Sequence, residues 1–247
     1  MNRFLLLIFL TLALGCKEET KQAISNTEPQ PVYGAIAEKA MVVSAREEAS
    51  RIGAAIMEKG PTALDAMIAT EMALSVAYPF AGSIGGGGFL VYRTQHGEIG
   101  ALDYREKAPM AAYRDMYLDE EGNYQSELSK VGGMAVGVPG GIAGMYAVHE
   151  RFGTLPMEEL LEPVIALAEN GFVITQKQQD RLDRYRALFE EVNGGTSEYT
   201  QELKAGDTLR NPALADTFRR IAENGRSEFY GGQTGQAMVE YLAAHDG

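Results

Sequence analysis

The chain has 247 residues, of which 45% are hydrophobic and 23% charged, enough to bury a sizeable core in one large domain or two small ones. Twenty-two basic against 34 acidic residues leave a formal charge of −12, which argues against unspecific nucleic-acid binding, since that rests on Lys and Arg neutralising phosphates. The lone cysteine, Cys16, allows neither an intrachain disulfide nor a Cys-based metal site, and His96, His149 and His245 are too scattered to pair as ligands. No metal and no cofactor is expected.

Residues 1–15 carry one cation, Arg3, then the apolar run Phe4 to Leu14 and Gly15. That run is too short to cross a bilayer and has the layout of a signal peptide. Leu12-Ala13-Leu14-Gly15-Cys16 resembles the bacterial lipobox, in which cleavage precedes a cysteine that becomes lipidated; Ala13 stands where Leu is commoner. The resemblance implies a lipid anchor on Cys16 and a place in the bacterial cell envelope, periplasmic or on the outer face. Residues 16–31 are polar, hold two prolines and lack apolar periodicity, as a tether does.

The folded part is expected over 32–247. Ala40 to Val43 suits a short buried strand, and Ser44-Ala45-Arg46-Glu47 has the spacing of a capping box. Ala45, Ala49, Ile52 and Ile56 would share one helical face, ending at Gly60-Pro61. Thr62 opens a second helix, and from Ala63 to Ala77 only Asp65 and Glu71 are charged, so that helix should be buried on nearly all sides. After Pro79 come four consecutive glycines, Gly85 to Gly88. Such a run is kept where φ must be positive or where another backbone or a ligand comes close. Phe89 to Tyr92, a turn at Gln95-His96-Gly97 and a second short strand ending at Asp103 make a β-hairpin. Helices grouped before strands favour an α+β fold over a βαβ sheet, and the glycine run matches neither a dinucleotide fingerprint nor a P-loop.

Downstream, Asp119 to Asn123 reads as a surface turn, and Gly137-Val138-Pro139-Gly140-Gly141 as a second glycine corner leading into a helix of about Ile142–Arg151. Amides at such a helix start suit an anion, although close packing of the corner is the commoner use. A helix over 156–170 should kink or restart at Pro163. Thr175 to Gln178 forms another capping box, and Asn211-Pro212 is an N-cap followed by a first-turn proline. Glu190 to Leu209 reads as a polar loop, and a last helix covers about Thr234–Ala244.

No Gly-x-Ser-x-Gly elbow and no His-Glu-x-x-His occurs. His96 falls in the hairpin turn, and His149 on the wet face of its helix. The strongest candidate is Arg105, between Asp103 and Glu106 at a strand end: a guanidinium there can grip a carboxylate bidentately. A structural ion pair is the alternative use of the same three residues.

A resemblance weighs on that choice. Met41-Val42-Val43-Ser44, Gly60-Pro61-Thr62-Ala63-Leu64-Asp65-Ala66, Gly85 to Phe89 and Ala101-Leu102-Asp103-Tyr104-Arg105-Glu106-Lys107-Ala108-Pro109 stand in the order seen in γ-glutamyltransferases. Similarity continues through Val138-Pro139-Gly140, Tyr146 to Pro156, Ala166 to Val173 and Ala222 to Gly232. The resemblance implies an N-terminal-nucleophile hydrolase with an αββα sandwich. Its precursor cuts itself and exposes a threonine at the start of a small subunit. That threonine takes the γ-glutamyl group from glutathione or a similar compound, and passes it to water or an amino acid. Arg105, matching the family's Asp-x-Arg-Glu, would bind the α-carboxylate of the γ-glutamyl group. In the family the nucleophile, the acids holding the α-amine and the oxyanion glycines lie beyond the point matching Gly247. The sandwich is therefore expected to be incomplete, with an uncovered face on helix 63–77, and the chain inactive without its missing C-terminal part. A related amidase such as a β-lactam acylase, or a non-catalytic periplasmic binding lipoprotein, are the other readings of the same scaffold.

Overall fold

The computed structural model describes residues 34–60, 62–245 and 247. The signal segment 1–15, the tether 16–31 and Cys16 lie outside the described residues. The chain divides into a unit ending at Ala40, whose described residues are exposed and form no helix or strand, and a compact unit from Met41 to Gly247.

Helix α1 spans Glu47–Lys59 and α2 Ala63–Ala77. A hairpin follows, β1 (Phe89–Arg93) antiparallel to β2 (Ile99–Asp103). Then come α3 (Gly141–Phe152), α4 (Met157–Asn170), β3 (Phe172–Val173) and α5 (Gln176–Asn193). A short β4 (Thr208–Leu209) pairs with β3, and α6 (Pro212–Asn224), α7 (Arg226–Gly231) and α8 (Gln233–Ala243) close the order. The expected α-α-β-β opening is present, with the strands and helices of an α+β fold.

Helix α2 is the axis of the core. Ten of its 15 residues are buried, including Ile68, Met72 and Val76, and α1, α3 and α4 pack around it. Each large apolar side chain so buried contributes about 1.5–3 kcal/mol. Thr62 caps the helix, its hydroxyl accepting the Asp65 amide at 3.2 Å. Asp65 is itself fully buried, and its carboxylate accepts the Thr154 amide (3.2 Å), the Thr154 hydroxyl and the Thr62 hydroxyl (3.1 Å). One charge thereby ties the start of α2 to the turn after α3.

Several expectations are corrected. Ala40 to Val43 forms no strand: Met41 and Val43 are exposed, and only Val42 turns inward, toward Gly53. Ser44 does not cap α1. Its hydroxyl is engaged with Arg46 (2.7 Å to the carbonyl) and Ser50 (2.8 Å), and the helix starts two residues later than the motif suggests, leaving Ala45 exposed outside it. Arg46 flanks the helix instead, its guanidinium reaching Glu48 (2.7 Å), Gln178 (2.8 Å) and the Val173 carbonyl (3.1 Å). Helix α4 continues through Pro163 as one element, because Leu160, Leu161 and Val164 are held in the core. The loop expected over 190–209 is shorter: α5 reaches Asn193, where Gly194 at φ 64° stops it, and β4 closes onto β3. The capping box at Thr175 and the Asn211 cap with Pro212 form as expected.

Exposed apolar side chains are found on the hairpin, whereas ten of the fifteen residues of α2 are buried. Leu90 and Leu102 face each other and pack on the core, while Tyr92 lies against Phe152 with ring centroids 4.8 Å apart. Phe89, Val91 and Ile99 point the other way and are 63%, 76% and 72% exposed. The helices thus cover one face of this hairpin only.

Candidate active site

None of Gly85 to Gly88 has a positive φ. Their reason is close approach. A Cβ on Gly87 would stand 2.9 Å from Arg105 Cα and Glu106 N, and closer still to the Tyr104 carbonyl oxygen. Gly88 carries the ladder one pair past the hairpin, the Tyr104 amide donating to its carbonyl at 3.0 Å. Gly86 offers its carbonyl oxygen to the amides of Gly140 (3.0 Å) and Gly141 (2.8 Å). Lys107 and Val138 exchange both backbone hydrogen bonds, at 3.1 and 2.7 Å. The two glycine corners therefore grip residues 104–107 from opposite sides, and bare backbone lets them come so near.

This settles how the second corner is used. The first amides of α3 are spent on Gly86, and the Ala143 amide donates to the Tyr230 hydroxyl at 3.1 Å, which in turn donates to the Pro139 carbonyl at 2.8 Å. The corner serves as a packing joint.

Arg105 leaves the clamped segment with its side chain 68% exposed. Of its two expected carboxylate neighbours, Asp103 accepts the Arg105 backbone amide at 3.0 Å and so fixes the main chain, not the guanidinium. Glu106 stands 3.9 Å from Nε, and the guanidinium lies 5.9 Å from the Phe89 ring centroid. Both are weak restraints at an exposed position, so the planar fork is held roughly in place, and no shorter ion pair engages it among the described residues. It borders a cleft of about 580 Å³ that continues through Lys107 and Arg114 to Met134 and Val136.

Behind Arg105, Tyr104 turns inward over Gly144 of α3. Burial, and secondly the charge of Glu71, push its phenol up to about 12; burial likewise raises the Glu71 carboxyl. Tyr104 is therefore a neutral spacer at physiological pH and supports the strand end mechanically. It continues the inward alternation of Leu102. The histidines lie elsewhere. His96 is exposed in the turn as expected, but His149 is not on a wet face: its Nε2 sits 2.7 Å from the Leu155 carbonyl and its ring fills the space beside Gly153. Thr154, Thr175 and Thr200 are all occupied in structural hydrogen bonds.

The gamma-glutamyltranspeptidase family model matches residues 49–247. This chain belongs to that family. Among curated gamma-glutamyltranspeptidase relatives, the glutathione hydrolase proenzyme of Pseudomonas aeruginosa is 40% identical over 97% of this chain and 42% of its own length. That of Escherichia coli is 36% identical over 85% and 37%. The chain thus spans about two fifths of these relatives. The crystal structure of Helicobacter pylori gamma-glutamyltranspeptidase superposes with a TM-score of 0.83 at 36% identity, covering 87% of this chain and 63% of that one. The Pseudomonas nitroreducens gamma-glutamyltranspeptidase complexed with L-DON gives 0.79 at 37%, covering 86% and 63%. A Bacillus halodurans cephalosporin acylase, at 24% identity and a TM-score of 0.69, shares the fold alone. The architecture is that of N-terminal-nucleophile hydrolases, of which this part of a gamma-glutamyltranspeptidase forms helices and two two-stranded pieces of sheet.

Proposed function

We propose that this chain is the carboxylate-binding part of a glutathione hydrolase or γ-glutamyltransferase. The observation that carries the reading is Arg105, exposed at the mouth of a cleft while its backbone is clamped between two glycine corners. Its guanidinium takes the α-carboxylate of a γ-glutamyl group in a two-point contact, which orients the γ-amide without reacting with it. The attacking hydroxyl belongs to a threonine at the head of a small subunit, in the portion of the longer relatives that this chain does not match. Its α-amine accepts the hydroxyl proton while the oxygen bonds to the carbonyl carbon of the γ-amide. The tetrahedral oxyanion collapses, the amine leaves with that proton, and water or an amino acid then accepts the γ-glutamyl group. The bare outer face of the hairpin, at Phe89, Val91 and Ile99, is where that remaining portion packs.

The test is co-expression with and without a C-terminal partner, assayed for release of aniline dye from a γ-glutamyl anilide. Turnover should need both parts and should fall with Arg105→Ala mainly through KM; turnover by the lone chain would contradict the division of labour. We further propose that Cys16 carries a lipid that anchors the protein to the bacterial envelope. The lipobox-like run Leu12 to Cys16 supports this. Radiolabelled palmitate should be incorporated by the parent and not by Cys16→Ala.

A further inference from the structure

The cleft beside Arg105 is lined by two more cations, Lys107 and Arg114, and by one carboxylate, Glu106. In a protein of net charge −12, that is a local reversal of sign. Among the described residues, no close ion pair consumes these basic groups. Arg114 is 94% exposed and meets Asp115 at 3.5 Å through Nε, and Arg105 meets Glu106 at 3.9 Å. Both separations exceed the 2.7–2.9 Å or so of a charge-assisted hydrogen bond. Arg46, by contrast, donates to the Glu48 carboxylate at 2.7 Å.

Met116, Met134 and Val136 line the same cleft. They are held together: the Tyr117 hydroxyl donates to the Met134 carbonyl at 2.9 Å, tying the turn that carries Arg114 to the opposite wall. A cleft of about 580 Å³ that brings Lys107 and Arg114 beside Arg105 suits a ligand with two carboxylates. We infer that Lys107 and Arg114 form a second carboxylate site, so that the cleft prefers γ-glutamyl peptides ending in a free carboxylate over γ-glutamyl amides with a neutral end. The inference rests on the reading of Arg105 given above.

Calorimetric titration of the full chain with reduced glutathione, and with glutathione whose glycine carboxyl is converted to an amide, tests it. The two ligands differ by one charge and share the γ-glutamyl group. The amide should bind about two- to fivefold more weakly, the range of an exposed charge pair. The gap should close in the Lys107→Gln/Arg114→Gln double variant and at high salt, whereas Arg105→Gln should weaken both ligands alike. Equal affinity of the two ligands for the parent chain, or an equal loss of both in the double variant, overturns the second site while leaving Arg105 in place. Absence of binding by either ligand, or indifference to Arg105→Gln, defeats the Arg105 reading and the second site with it.

Discussion

Alanine substitution along Gly85 to Gly88 separates packing from backbone freedom, because none of the four has a positive φ. At Gly85 an added Cβ meets only Ser83 Oγ, at 3.7 Å, and at Gly86 nothing nearer than 3.5 Å. At Gly87 it meets backbone atoms of Tyr104, Arg105 and Glu106 at 2.9 Å or less, and backbone held by a ladder on one side and Val138 on the other cannot yield cheaply. Overpacking of this kind costs about 1–3 kcal/mol. For a domain of this size each kcal/mol lowers Tm by roughly 2–4 °C, so a mid-range cost predicts a fall of about 4–8 °C. Gly88→Ala presses on the Tyr104 ring at 2.9–3.0 Å and should fall between. Gly85→Ala should be neutral or gain up to about 1 kcal/mol through the unfolded chain. Thermal unfolding of the four variants under one set of conditions reads the series, and glutathione titration adds a second readout, since Gly87→Ala displaces Arg105. Equal destabilisation at Gly85 and Gly87 would refute the close-approach account, as would a Gly87 variant that unfolds and binds like the parent.

Asp65→Ala strips the acceptor from the Thr154 amide, the Thr154 hydroxyl and the Thr62 hydroxyl at a fully buried point; urea unfolding should show a loss of about 3 kcal/mol. Glu228 is held below its ordinary 4.5, first by the amide and hydroxyl of Thr234 and then by Arg220. A carboxyl depressed in the folded state contributes stability above its unfolded value and loses it as pH falls through the folded one. Glu228→Gln should therefore flatten the Tm profile below about pH 4.5 and lower Tm at neutral pH. Val91→Lys, on the exposed outer face of β1, should cut self-association of the isolated chain in light scattering while changing stability by no more than about 0.5 kcal/mol.

The local signals with a one-dimensional cause were legible from the residues alone. An apolar stretch from Ala63 to Ala77 becomes the buried axis because no polar face exists to be wetted. Thr175 and Asn211 cap their helices because the partner amide lies three residues on in the chain. That Arg105 stands exposed just past the end of a strand was legible from its neighbours, and its proposed role comes from the resemblance of Asp103 to Glu106 to a known family. What the order of residues did not decide is which long-range partner each group takes. Ser44 had the spacing of a cap but is held by Arg46 and Ser50, while Arg46 turns to Gln178 and Val173. Asp103 flanks Arg105 in sequence yet binds its amide, not its guanidinium. The glycine runs announced a tight place, and only the fold showed that the tightness is backbone on backbone, Gly87 against Tyr104 to Glu106 and Gly140 against Gly86. Helix periods and caps are set within a few residues, whereas hydrogen-bond partners distant in the chain are chosen by packing, and packing exists only once the chain has closed on itself.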